Sequence, residues 1–427
     1  MADMTGGELR APASGAVRDR FLDESWSRTL DRVCAGVFAL FILAVAGLAF
    51  AVPERDWDWT AYVALAIEDR FDDAGSLHAA TWEIVRQNTD DKEFTVLSTV
   101  GAYRQAQFAD AENFASQLPM YRLKVGYVAL LKALSPMLGP VAAMQAINAA
   151  SVLLLGACLL YGMWRGRFLQ GALFLAPVMM LSGFVLMARV ATPDMLVAAL
   201  TVAGTMLLCS RVSWTGVPVL LAAFLVRPDT IILLFALLLA GLFFRWRWLP
   251  ALAAFGIAAL ITLPLTAAAD HIGWWPHFWF STVELQANMI GFDPAFSIAA
   301  YLKGLASGLA IALIKENWLT VAALLLGAWF LLWGRREIPK QVAMPMLAMV
   351  LAIGGKFAVF PLPYDRIYAV HLWLFAMGVL ALWRPQFLPS ASTEETVRLE
   401  RFRMRTGVEA GSRDSRSRPV SGVSQTG

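Results

Sequence analysis

The stretch VCAGVFALFILAVAGLAFAVPERDWDWTAY, residues 33–62, holds two kinds of chemistry back to back. Residues 33–52 are apolar throughout and match the roughly 20 residues a helix needs to cross a bilayer. Immediately after them come two carboxylates, Asp56 and Asp58, alternating with Trp57 and Trp59. The same apolar pattern recurs along the chain, for example VAMPMLAMVLAIGGKFAVF at 342–360. With 58% hydrophobic and 16% charged residues and a mean hydropathy of +0.59, the chain carries more apolar surface than a water-soluble fold can hide. The expected fold class is therefore an all-α polytopic membrane protein, since lipid leaves no water to satisfy an open backbone.

Residues 33–51 are read as a retained anchor and not as a signal peptide, although AFA at 49–51 resembles a cleavage site. The preceding 32 residues mix acids with arginines, and the run is longer than a signal core. Cys34, Cys158 and Cys209 all sit in apolar segments, so neither a disulfide framework nor a thiolate metal site is suggested. No nucleic-acid partner is expected.

Arginine placement orients the chain, because short cytoplasmic loops collect Lys and Arg. With residues 1–32 inside and 33–52 running outward, crossings at 141–163, 168–188, 194–210, 213–226, 230–244, 249–268, 318–334, 342–360 and 367–383 give about ten transmembrane helices. They place Arg165, Arg167, Arg211, Arg245, Arg247, Arg335, Arg336 and Lys340 in inside loops. The membrane domain then covers 33–384, with a long first extracytoplasmic loop at 53–140, a second at 269–317, and a disordered basic cytoplasmic tail at 385–427. Residues 125–138 read as an interfacial or half-inserted helix, and 299–314 is likewise kept out of the crossings; counting it would move the later loops across the membrane.

In the first loop, EDRFDD at 68–73 and DDKE at 90–93 read as a solvated acidic face. Tyr62, Leu65, Ala66 and Phe71 form an apolar stripe, suggesting amphipathic juxtamembrane helices along the membrane surface. If 56–59 is extended, Asp56 and Asp58 share a face and the tryptophans can seat among headgroups. If it is helical, the carboxylates diverge and Asp58 or Thr60 is a helix cap.

Three further arginines stay in short outer loops, each near an aspartate: Arg189 with Asp194, Arg227 with Asp229, and Arg366 with Asp365. Charges at membrane depth are costly, so either they build a site or each pair staples its own loop. All four histidines, His78, His271, His277 and His371, fall near the same face, without the spacing of a helical zinc pair. HIGWWPHFWF at 271–280 offers either an interfacial aromatic anchor or a wall for an isoprenoid chain or sugar ring.

Taken together, DWDWTAY after the first span, QLPMYRLKVGYVALLKAL closing the first loop, RVATPDML, RPDTIILL and PYDRIY resemble the GT-C superfamily of integral-membrane glycosyltransferases, which includes protein O-mannosyltransferases and lipid A aminoarabinose transferases. The chain departs from common members in lacking a DE pair after the first span, a double proline before the tyrosine and a soluble C-terminal domain.

The resemblance implies an inner-membrane enzyme that moves a sugar, with inversion, from a polyprenyl-phosphate donor to a glycan, lipid or protein acceptor on the extracytoplasmic side. It implies Asp58, then Asp56, as general base. Arg227 and Arg366, then Arg189 and Arg122, would bind the donor phosphate. Asp194, Asp229, Tyr364, His371 and Tyr121 would position the acceptor or a metal, with Asp56, Asp58 and Asp194 as hard oxygen ligands for magnesium or manganese. The rival expectations are a polytopic transporter or flippase, or a noncatalytic subunit of an envelope glycan assembly.

Overall fold

A computed structural model describes residues 24–332 and 338–385, and within it Asp31–Pro385 fold as one unit. Of the rest, only residues 24–30, the start of the first helix, are described; the tail expected at 385–427 falls outside the described residues from 386 onward. Among the described residues the protein is helical throughout, without a strand. Six helices are long and apolar enough to cross a membrane: Ser27–Ala51, Pro140–Gly166, Trp248–Ala268, Ile298–Lys315, Lys340–Val359 and Asp365–Trp383. This is a multi-pass helical membrane protein. The other expected crossings are shorter apolar helices: Leu169–Leu181, Asp194–Leu208, Ser213–Val226, Pro228–Phe243 and Trp318–Leu332. At 1.5 Å per residue, such a helix falls short of the roughly 30 Å hydrocarbon core. The expected crossing at 168–188 breaks at Gly183, whose left-handed backbone (φ 78°) starts a separate short helix.

The elements used below are α1 (Glu24–Ala51), α2 (Trp57–Ile67), α3 (Ala74–Gln87), α4 (Asp91–Ser98), α5 (Ala102–Ala109), α6 (Ala111–Arg122) and α7 (Val125–Leu138). They continue as α8 (Pro140–Gly166), α9 (Ala172–Leu181), α10 (Phe184–Arg189), α11 (Asp194–Leu208), α12 (Gly216–Val226), α13 (Ile231–Phe243) and α14 (Trp248–Ala268). The last are α15 (Trp274–Thr282), α16 (Ile298–Lys315), α17 (Trp318–Leu332), α18 (Lys340–Val359) and α19 (Asp365–Trp383).

Two cores result. The larger joins α1 and α8–α14 with α16–α19. Apolar packing gains little from lipid, so close approach matters there: Gly156 on α8 leaves no room for a Cβ beside Ile42 of α1. The smaller core is a helical layer, α2–α7 with Ala143, Met144 and Ile147 at the start of α8 and with Ala191, Val226 and Met289. Here α2 departs from the expected surface stripe, because every residue from Trp59 to Ile67 is buried. Fully burying a side chain such as Leu65 contributes about 1.5–3 kcal/mol, so α2 is the layer's central helix.

The acids of the first loop are not merely solvated. Asp56, Asp73, Asp90 and Asp110 are the N-caps of α2, α3, α4 and α6. Each carboxylate accepts a backbone N–H that the first helical turn would otherwise leave bare, and Asp90 with Glu93 completes a capping box.

Helix α7 has 14 residues and lies against the end of α12, where a Cβ on Gly126 would meet the Leu225–Val226 backbone at 3.0 Å. Helix α16 has the composition of a span, yet it runs beside the connector between α18 and α19. The Tyr301 hydroxyl donates to the Ala358 carbonyl (2.6 Å), and Glu316 at the other end accepts from the Asp365 N–H (2.9 Å). Between them Gly308 sits against the Pro361 carbonyl with no space for a side chain. Gly308→Val is expected to push the connector away and cost about 1–3 kcal/mol, read as a lower midpoint of thermal unfolding in detergent, whereas Gly327→Ala, which faces open space, should leave it unchanged.

Candidate functional site

Three chain segments meet where α1 ends. Glu54 donates its N–H to the Arg189 carbonyl (2.9 Å) and pairs with Val190 in a single parallel bridge. The buried Asn148 amide on α8 holds the Ala188 and Val190 carbonyls from behind (3.1 and 2.6 Å). This registers the 54–58 segment against the start of α11, and α19 begins beside both.

The Arg366 guanidinium occupies the junction. Its Nη1 lies 3.1 Å from Asp56, its Nη2 3.1 Å from Asp58 and its Nε 3.6 Å from Asp194. Arg227 bonds the other Asp194 oxygen and lies 3.1 Å from Asp229, which reaches Lys356 Nζ at 3.1 Å. Thr192 donates to Asp194 (3.1 Å) and the Tyr121 hydroxyl to Asp58 (2.9 Å). The charges thus form one chain from the α2 N-terminus to α18. Asp194, at the centre, is only 6% exposed, whereas Asp56 and Asp58 on one side are 28% and 32% exposed and Asp229 on the other is 33% exposed, so the network is buried at its middle and partly open at both flanks.

Both conformational expectations for 56–59 fail in an instructive way. Asp56 is extended (φ −88°, ψ −178°) and caps α2 through Trp59 N–H (3.0 Å), while Asp58 is already helical. The carboxylates nevertheless converge, because the flat guanidinium spans the gap between them. The tryptophans do not seat among headgroups: Trp59 is 1% exposed, and the Trp57 indole N–H donates to Gln117 (3.1 Å). The Asp56 carboxyl is raised to about 7, first by burial, then by the Asp58 charge, against the lowering pull of Arg366.

Arg227, Arg366, Asp194, Asp229 and Tyr121 are brought together in this network. Tyr364 lies beside the site, with the Arg366 guanidinium 5.7 Å from its ring centroid. His371 lines a small cavity under the cluster with Asp194, Arg227, Lys356 and Arg366; it is 1% exposed, with neither ring nitrogen hydrogen-bonded. Two candidates belong elsewhere. Arg189 bonds the Val52 carbonyl (2.8 Å) and faces Glu54 (3.7 Å), because the bridge turns it back along α1. Arg122 pairs with Glu68 (2.9 Å), which also holds Lys132. Asp365 likewise turns away from Arg366, accepting the Asn317 and Trp318 N–H groups at the α17 start (2.8 Å each). Of the three sequence-local pairs, only Arg227–Asp229 forms.

Magnesium or manganese does not fit this donor set. Asp56, Asp58 and Asp194 each direct an oxygen at the same guanidinium, which fills the position a shared cation would take. Among the described residues no group of three or more His, Cys, Asp or Glu side chains is disposed to hold a metal ion.

Two cations escaped the sequence reading. Lys356 is the one charge inside the apolar run 342–360, and an isolated charge there is itself a signal. Lys124 stands 4.6 Å from the Tyr121 ring centroid and 5.4 Å from that of Tyr62. Burial lowers it to about 8, while the Asp58 charge opposes the shift. It forms no salt bridge among the described residues, unlike Arg227 and Arg366, and nothing in QLPMYRLKV marks it. In the 271–280 segment, Phe278 is buried against Tyr301 and Phe360, and His271 meets His277 at 3.3 Å; burial lowers His277 to about 3. That segment packs inward, with Trp274 left 44% exposed.

Compared with protein-family models, with curated proteins and with solved structures, the chain matches none.

Proposed function

We infer that the protein is a membrane glycosyltransferase that uses a polyprenyl-phosphate-linked sugar and works on the extracytoplasmic side of the inner membrane. One observation supports this reading: a proton-accepting carboxyl of raised affinity, Asp56, stands at a partly open flank of a network of paired charges packed against a helical membrane bundle. An acceptor hydroxyl is a poor nucleophile until a nearby base takes its proton, and a base with a value near the working pH does this best. Asp56 meets that requirement. Asp58, fixed by Tyr121 and Arg366, supplies the repulsion that tunes it.

In the step envisaged, the acceptor oxygen bonds to the anomeric carbon as its proton passes to Asp56. The anomeric carbon–oxygen bond to the lipid phosphate breaks with its electron pair on the phosphate. The leaving phosphate needs charge neutralisation and no proton. Arg227 and Arg366 are already engaged by carboxylates, so Lys124 is the cation free to take it, with Arg366 behind. The tally of uncommitted charge therefore ranks Lys124 ahead of the arginines.

The direct test supplies purified protein in nanodiscs with radiolabelled polyprenyl-phosphate hexoses and pentoses and follows label into acceptor; absence of transfer from every donor, with donor binding intact, would remove the reading. Lys124→Met is expected to raise KM for the lipid donor about tenfold or more while leaving protein level unchanged. Sidedness is checked separately by labelling introduced cysteines in intact cells. Positions Asp72 and Ile290 should react with an impermeant maleimide, and position Arg211 only after permeabilisation.

A further inference from the structure

A second open feature lies on the helical layer, away from the charged network. The turn Val100–Arg104 and the segment around Leu285–Ala287 border a cleft of about 600 Å³, within the roughly 300–1,000 Å³ typical of small-ligand sites. One aromatic side chain lines it: Tyr103, which meets Trp57 edge-on behind it, 5.4 Å between ring centroids. Gln117 ties the two rings from below, accepting from both the Trp57 indole and the Tyr103 hydroxyl. Tyr103 is half-buried, so it keeps surface for a ligand in the cleft.

One aromatic contact, Tyr103 with Trp57, separates the cleft from the charged network. Trp57 is the residue between Asp56 and Asp58, and Tyr103 lies close enough to Asp58 to feel its charge. At the mouth, Arg104 sits 6.0 Å from the Trp57 ring centroid and donates to the Val96 carbonyl (2.7 Å). It forms no salt bridge among the described residues, although the layer around it is rich in acids: Arg55, Arg86 and Arg122 are all paired there. An unpaired guanidinium in an acidic layer, beside half-open aromatic rings, suits a sugar ring that carries a negative charge.

We propose that this cleft binds the acceptor, and that the acceptor is an anionic saccharide whose ring packs on Tyr103 and whose carboxylate or phosphate is held by Arg104. This rests on the transferase reading and specifies its second substrate. A saccharide seated on Tyr103 would extend past Trp57 toward Asp56, while the lipid donor approaches from the bilayer.

Isothermal titration of the protein in nanodiscs tests it with a glucuronosyl-glucose disaccharide, with cellobiose as its neutral counterpart and with free glucuronate. The charged disaccharide is expected to bind about tenfold or more tighter than cellobiose. Arg104→Met should erase that preference, Arg104→Lys should keep part of it, and Tyr103→Ala should weaken both disaccharides. Equal binding of the two disaccharides, a preference that survives Arg104→Met, or free glucuronate binding as tightly as the disaccharide would each overturn the proposal. Asp56→Asn separates the two readings: it should bind the charged disaccharide as the parent does. If it also still transfers sugar, the transferase mechanism fails and the cleft assignment stands.

Discussion

Replacing Arg366 by methionine is expected to cost about 3–5 kcal/mol of stability, the scale for breaking a buried ionic network by removing one partner. Among the described residues the guanidinium is the only group that contacts Asp56, Asp58 and Asp194 together. Without it three carboxylates face one another at partial burial, and the chain linking α2, α11 and α19 is cut. The measurement is the unfolding midpoint in detergent, followed with expression level. Arg366→Lys should recover little, because a point charge cannot serve three carboxylates as a planar fork does. Adding Asp58→Asn to Arg366→Met should restore part of the loss, with a coupling energy of about 0.5–3 kcal/mol as expected within one network. Strict additivity of the two changes would mean that the residues do not act together.

Asp56→Asn is expected to lower kcat for sugar transfer by about 10²–10⁴-fold, the usual range for a positioned base, with the fold intact. Asparagine is as good an N-cap as aspartate, so α2 keeps its first turn and the substitution removes only the charge and the proton acceptor. In the parent, the rate should fall as pH drops below about 7, where Asp56 becomes protonated, and level off above it. Stability should run the other way. A carboxyl whose value is raised from 3.8 to about 7 on folding contributes stability that is fully present below the unfolded value and lost as pH rises through the folded one. Asp56→Asn should therefore be neutral or stabilising at pH 8. Because the Asp58 charge helps raise Asp56, Asp58→Asn should move the acid limb of the rate profile to lower pH. Unchanged kcat in Asp56→Asn would remove Asp56 as the base; an unmoved limb in Asp58→Asn would remove its tuning role.

The network also explains how far sequence reasoning could reach. Residues 33–52 announce a membrane helix by length and composition alone, as does 342–360, because lipid imposes the same rule on every segment. Asp56, Asp58, Arg227 and Arg366 stood out because charge near a bilayer is costly and so conspicuous. Partner choice was another matter. Arg189 and Asp365 look like members of local pairs, yet the Glu54–Val190 bridge turns one away and the start of α17 takes the other. Arg122 sits in a quoted motif and serves Glu68. Lys124, two residues further on, is the one that reaches the site.

What the chain alone determined is the solvent it must live in, the helical form that follows, and a set of charges gathered near helix ends. Which of those charges meet was decided by tertiary contacts. A single backbone bridge, a buried asparagine amide and the entry angle of α19 carry segments more than 300 residues apart onto one guanidinium. Period and composition report how each segment meets solvent or lipid, whereas electrostatic partners depend on directions in space that no local pattern encodes.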